Sequence, residues 1–414
     1  MIRTGFLIAV LLCAQFANAA FNGRVVDATS HKPIAGATIS VAGVPVTAGP
    51  DGRFQLRDTT ESVSVRASGY RQTQVNPSLF KDPKNATPDI ALTPFRARAL
   101  YLTVYGIGSL ALRNSALALA ARKGLNALVI DVKGDRGLVP YHSSVPLAVE
   151  AGANKVITVK DIHSLIQDLH GRGLYLIGRL VVFKDNPLAE LKPELALKGA
   201  DGKTWHDKEG LAWTDPTKKE VWDYTTDLAV EAAKNGFDEI QFDYVRFPDA
   251  PGATYSVANT EENRTGALSG FLTEARTKLA PYNVYMAADI FGYTAWNLND
   301  THIGQKIEKL GPLLDYLCPM LYPSGFQFGI PGFRNPVANP YEIVKLSLDQ
   351  AAKRTALPAT HFRPWLQAFR DYGFDRRIFG ATEISAQIKA ADDFGSGGWM
   401  LWNPRNAYTA DGLP

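Results

Sequence analysis

Two acidic residues stand near the ends of apolar runs, Asp243 in Gln241-Phe242-Asp243-Tyr244-Val245-Arg246 and Asp289 in Ala287-Ala288-Asp289-Ile290. An ionised carboxylate gives up its hydration when buried, so acids at the tips of apolar strands need a partner or a task. Glycosidic bond cleavage is a task for two of them. One ionised carboxylate attacks the anomeric carbon or stabilises its positive charge, while a protonated one gives its proton to the leaving oxygen. Asp243 is expected as nucleophile or charge stabiliser and Asp289 as general acid/base, with mutual repulsion raising one of the two pKa values. Similar positions carry Asp131, Lys133, Arg179, Arg246, Tyr322, Gln367 and Trp402, the expected lining of the substrate subsites. Arg246 is expected to hold Asp243 ionised by folding back over the mouth, and Asp131 with Lys133 has a second reading as a buried ion pair. Tyr322, Trp402 and Trp205 offer flat faces on which sugar rings can rest.

Such residues need a frame that gathers strand ends. After Pro94 the chain alternates strand and helix, with strands expected over residues 99–104, 127–132, 174–182, 239–244, 284–290, 314–320, 362–368 and 398–402. Ile162, Leu165, Ile166 and Leu169 fall on one helical stripe, with capping-box spacing from Thr158 to Asp161 before it. Asp215-Pro216 reads as the start of another helix. Arg122-Lys123-Gly124, Gly171-Arg172-Gly173 and Lys234-Asn235-Gly236 each end a helix with cations and a left-handed exit before an apolar strand. Eight such units over about 300 residues predict a (β/α)8 TIM barrel, class α/β, whose chemistry sits at the C-terminal ends of the strands. An open doubly wound sheet is the competitor, but Gly106-Ile107-Gly108 is too short for a dinucleotide fingerprint.

Before the barrel the texture is all β. Residues 24–26, 37–41, 53–56 and 62–66 alternate as short strands between turns at Lys32-Pro33, Gly49-Pro50-Asp51-Gly52 and Ser68-Gly69-Tyr70, which predicts a small β-sandwich over 21–93. Asn76 to Thr93, with Pro77, Pro83 and Pro88, reads as the linker to a barrel over 94–414. Residues 1–20, with Arg3, an apolar run and Ala17-Asn18-Ala19, read as a cleaved export signal, too short to be a membrane anchor, so a periplasmic or extracellular address is expected.

The chain has 44 basic against 41 acidic residues, net +3, without a dense Lys/Arg cluster, so no nucleic-acid partner is expected. Its two Cys exclude a disulfide scaffold, and its seven His show no metal-ligand spacing. Neither a metal nor a cofactor is expected.

Two resemblances sharpen this reading. Gly23-Arg24-Val25-Val26-Asp27, Pro33-Ile34-Ala35-Gly36-Ala37, Asp51-Gly52-Arg53-Phe54 and Ser68-Gly69-Tyr70 resemble the carboxypeptidase regulatory-like domain, which implies an accessory sandwich. Tyr101-Leu102-Thr103-Val104-Tyr105-Gly106, residues 126–135, Gly236-Phe237-Asp238-Glu239-Ile240-Gln241-Phe242-Asp243-Tyr244-Val245-Arg246-Phe247-Pro248, Ala287–Gly292 and Pro319–Ser324 resemble the bacterial glycosyl hydrolase domain family, from about Arg98 to Asn406. That likeness implies a barrel distantly similar to retaining α-glycosidases and chitinase-like enzymes, with Asp243 as the strand-four carboxylate and a proton donor from strand five or six. Strand six offers Tyr322 and no carboxylate, which favours Asp289. The implied substrate is a polysaccharide or oligosaccharide, with an envelope protein contact open to the sandwich. The alternatives are a non-catalytic glycan-binding or envelope-scaffold protein on a degenerate barrel, and a metal-dependent deacetylase.

Overall fold

The computed structural model describes residues 20–82 and 87–414. All but the last residue of the expected export signal, and part of the expected linker, lie outside the described residues.

Seven strands form the first unit: β1 (Ala20–Asp27), β2 (Thr38–Val41), β3 (Val44–Thr47), β4 (Arg53–Arg57), β5 (Val63–Arg66), β6 (Thr73–Val75) and β7 (Asp89–Leu92). They make two sheets, ordered β4-β1-β7 and β3-β2-β5-β6. The period of two sets their faces. In β4, Phe54 and Leu56 turn inward while Arg53, Gln55 and Arg57 face solvent. Gly52, at φ +74°, makes the turn before it, where a Cβ would come within 2.5 Å of the Val25 carbonyl. The sandwich is longer than expected. Phe80, inside the stretch read as linker, stacks on Phe21 at 5.2 Å, and β7 pairs in parallel with β1 from Arg24–Asp89 to Asp27–Leu92. The prolines there misled because they precede an edge strand without interrupting it.

The second unit is a closed barrel of eight parallel strands: β8 (Ala97–Leu102), β9 (Ala127–Lys133), β10 (Tyr175–Val181), β11 (Glu239–Asp243), β12 (Tyr285–Phe291), β13 (Tyr316–Met320), β14 (Trp365–Gln367) and β15 (Gly398–Trp402). Helices cover its outside, so the strands are buried on both faces and read as apolar runs. Leu128, Ile130, Leu176 and Phe242 pack outward, among the same cluster as Leu228 and Leu268 of the helices. Tyr101, Val129, Tyr175, Tyr285, Tyr316 and Met400 fill the interior. Gly124 and Gly236 cap their helices at φ +62° and +106°, as the punctuation predicts. Two caps differ. Asp161 alone caps helix Ile162–Gly171, while the Thr158 hydroxyl donates to the Val104 carbonyl. The helix after Asp215 begins at Lys219, and Asp215 instead accepts from Thr217 and Ser256.

The sandwich is docked on the N-terminal ends of the barrel strands, opposite the catalytic face of this fold. Arg66 forms a buried ion pair with Asp315 (2.5 Å) and donates to Asn283, and Tyr285 donates to the Tyr70 carbonyl. The Gly69 amide donates to the Tyr316 hydroxyl. Arg66→Ala would strip Asp315 of its nearer partner, with Arg276 left at 3.3 Å. Removing one member of a buried pair costs roughly 3 kcal/mol or more. The expected result is that loss in chemical denaturation, with the two units melting separately. A single transition at wild-type stability would mean that the junction is not a stabilising contact.

Candidate active site

Register sets which strand tips share a level. Arg179 is opposite both Asp131 on β9 and Gln241 on β11, and Phe242 is opposite Ala288, so Asp243 and Asp289 follow at matching heights. Arg179, fully buried, organises the centre. Its Nε and Nη2 donate to Oδ2 of Asp243 at 2.8 and 2.6 Å, its Nη1 to Asp131 at 2.8 Å, and its Nη2 also to Asp135 at 2.7 Å. Three carboxylates thus converge on one guanidinium, whose planar fork suits this sharing. Asp135 and Asp243 accept from the same nitrogen, so the two bond lengths bound their oxygens to within 5.3 Å of each other. The second oxygen of Asp243 accepts from the Tyr244 amide at 2.6 Å. Tyr244 reaches this geometry in the left-handed region, at φ +50°. That conformation costs a non-glycine residue about 1–2 kcal/mol.

A cavity of about 240 Å³ opens over Asp243. Arg179, Arg246, Tyr322 and Trp402 line it as the sequence suggests, joined by Asp135, Tyr244, Phe291, Met320 and Trp365. Trp402 stacks on Tyr101 (centroids 4.1 Å apart) and meets Trp365 edge-on. The Arg246 guanidinium lies about 5 Å from the rings of Trp213, Tyr244 and Phe291 and bonds Asp249, not Asp243. Holding Asp243 falls to Arg179 instead.

Four further expectations are revised. Asp289 is 1% exposed and does not line the cavity; its Oδ1 accepts from the Trp365 indole at 2.7 Å. Burial, and then the charge of Asp243, push its carboxyl well above the ordinary carboxylate range. Lys133 is fully buried away from the mouth, paired with Asp185 and 4.9 Å from the Tyr224 ring. The β9–β10 register passes from Asp131–Arg179 to Lys133–Leu180, and this irregularity turns Lys133 off the Asp131 face. It therefore forms no pair with Asp131. The Gln367 amide accepts from the Ser324 amide and donates to the Ser324 hydroxyl and the Phe369 carbonyl, which fixes a loop, and it does not line the cavity. Asp131 lies beside the cavity and not on it, lining the neighbouring cleft.

Burial pushes the Asp131 carboxyl up to about 6, against the opposing pull of Arg179, and Asp135 adds to the rise. A carboxyl with a raised folded-state pKa binds its proton more tightly folded than unfolded, so its contribution falls as pH rises from about 4 through about 6. Asp131→Asn resembles the protonated form. Its stability relative to wild type should therefore climb between pH 4 and pH 7, by a few kcal/mol at 1.36 kcal/mol per pH unit. Denaturation at several pH values measures this, and a pH-independent difference would contradict it.

Asp135, Tyr244 and Trp365 were missed as lining residues. Asp135 sits two residues beyond the end of β9, and Trp365 is the first residue of a strand expected to begin at Phe362. Among the described residues, no group of three His, Cys, Asp or Glu side chains is arranged to hold a metal ion, and no helix is long and apolar enough to cross a membrane.

Comparison with known proteins agrees with the architecture. Residues 99–408 match the family described as "Putative glycosyl hydrolase domain". A hypothetical protein from Ruminiclostridium thermocellum shares 39% identity over 46% of this chain and 96% of its own, at a TM-score of 0.41. The PgaB (BpsB) glycoside hydrolase domain from Bordetella bronchiseptica is 13% identical, with 77% of this chain and 99% of that one covered and a TM-score of 0.56. The C-terminal domain of a chitinase-like protein from Desulfitobacterium hafniense is also 13% identical, covering 77% and 97% at a TM-score of 0.51. The last two show a shared fold alone. No curated protein matches the sequence.

Proposed function

Because the chain belongs to the "Putative glycosyl hydrolase domain" family, we propose that it hydrolyses glycosidic bonds of a polysaccharide outside the cytoplasm, with Asp243 as nucleophile or charge stabiliser. The observation that carries this reading is the cavity itself. An ionisable carboxylate on the fourth barrel strand, held by Arg179 and a backbone amide, faces an opening walled by Tyr322, Trp365 and Trp402. Aromatic faces suit the apolar faces of pyranose rings, and an anchored carboxylate suits an oxocarbenium-like transition state. The N-terminal residues, with Arg3 before an apolar run and Ala17-Asn18-Ala19, support export.

The proton donor must reach the leaving oxygen. Position is judged before pKa. Asp289 accepts from the Trp365 indole and does not touch the cavity, whereas Asp135 lines it beside Asp243. The donor role accordingly goes to Asp135, in place of the Asp289 expected from sequence; without substrate Asp135 accepts from Arg179, so the role requires it to take up a proton when substrate enters, and Asp289 orients the Trp365 indole. An aryl glycoside with a good leaving group needs no acid. Asp135→Asn should lose activity on a natural linkage but keep it on the aryl glycoside. The same pattern in Asp289→Asn, and not in Asp135→Asn, would return the role to Asp289.

The direct test is release of reducing ends from a panel of bacterial polysaccharides. Release from at least one, absent in Asp243→Asn, is expected. Glycan binding without release from any would favour the non-catalytic scaffold.

A further inference from the structure

Resting on that hydrolase reading, we propose that the protein cuts within polysaccharide chains, because the central cavity is flanked on two sides by clefts that share wall residues with it. On one side lies a cleft of about 310 Å³ that shares Asp135 with it. On the other lies one of about 200 Å³ that shares Tyr244 and Arg246. Asp243 therefore sits between two open arms. A chain-end enzyme needs one side closed, and neither is. The cleft of about 310 Å³ is by itself the size of a small-ligand pocket of about 300–1,000 Å³, and the two smaller cavities extend the space beyond it.

Each arm also carries groups suited to a sugar. In the first, Tyr105 is 56% exposed. Arg136 and Arg405 line the same cleft, and among the described residues neither guanidinium has a hydrogen-bond or ion-pair partner. In the second, Trp205 is half-buried beside Trp213. Aromatic faces on both sides of the carboxylate, with free donors in the first arm, fit a linear chain whose units occupy all three cavities, with the scissile bond over Asp243.

The test uses the full chain with two soluble polymers, glycol chitin and hydroxyethyl cellulose, and with N-acetylglucosamine and glucose oligomers of two to six units. On a polymer that is cut, viscosity should collapse while few reducing ends have formed, giving products of mixed length. A viscosity loss that only tracks reducing ends, with one short product, would overturn the proposal and leave the hydrolase reading intact. Oligomer affinity should rise with length beyond two units. Length-dependent binding without cleavage would sustain the groove and remove the hydrolase reading, and affinity flat with length, or absent for every oligomer, would overturn the groove. Tyr105→Ala and Trp205→Ala should each lower kcat/KM on six-unit chains by roughly two- to tenfold, more than on two-unit chains. Equal losses on both lengths would count against the arms.

Discussion

Asp243→Asn is expected to reduce turnover by roughly 10²–10⁴-fold, the range seen when a positioned acid–base or electrostatic group is lost, while the fold keeps its stability. The second half of that expectation follows from the charge count around Arg179. Three carboxylates share one guanidinium, so neutralising one relieves crowded negative charge and leaves Arg179 paired with Asp131 and Asp135. The Asn amide oxygen can still accept from Arg179 and from the Tyr244 amide. A stability change within about 1 kcal/mol is expected, measured by denaturation beside the activity assay. A large loss of stability with turnover retained would make Asp243 a structural anchor.

Arg179→Ala should behave in the opposite way, failing on both counts. Here the cation shared by three close carboxylates disappears, and two of these, Asp131 and Asp243, are buried. Removing one partner of a buried ion pair costs about 3–5 kcal/mol, chiefly because the remaining charge is left uncompensated. The same residue packs beside Tyr101 and Trp402 at 5.4 and 5.0 Å, so the aromatic wall loosens as well. Denaturation midpoints and the pH dependence of stability report the effect. The Arg179→Ala loss should shrink at acid pH, where the stranded carboxyls take up protons. Wild-type stability at pH 7 would refute the convergence on Arg179 as a stabilising feature.

The barrel was legible because its strands are buried on both faces, which writes them as apolar runs, and because helices such as 110–123 and 219–235 end on left-handed glycines. Asp243 and Arg179 were legible for a related reason, since an ion at a strand tip stands out against its neighbours. Depth was not. Alternation tells which face a residue takes but not how far up the barrel a neighbour's ring closes over it. Asp289 matches Asp243 in register yet bonds the Trp365 indole, a ring carried by a strand 76 residues away. Lys133 was misread because one irregular step in the β9–β10 pairing breaks the period of two. Gln367 was misread because its Ser324 partner lies 43 residues away. The junction of sandwich and barrel joins residues such as Arg66 and Asp315, 249 positions apart, and no local pattern encodes it.

The most direct measurement concerns the negative charge itself. Asp243→Ala should leave the cavity open and the enzyme inactive on whichever polysaccharide the wild type cleaves. Added formate, a carboxylate small enough to occupy the gap beside Arg179, should then restore release of reducing ends in proportion to its concentration and have no such effect on wild type. A folded Asp243→Ala variant that hydrolyses at the wild-type rate without formate would contradict the role given to Asp243, as would one that formate never revives.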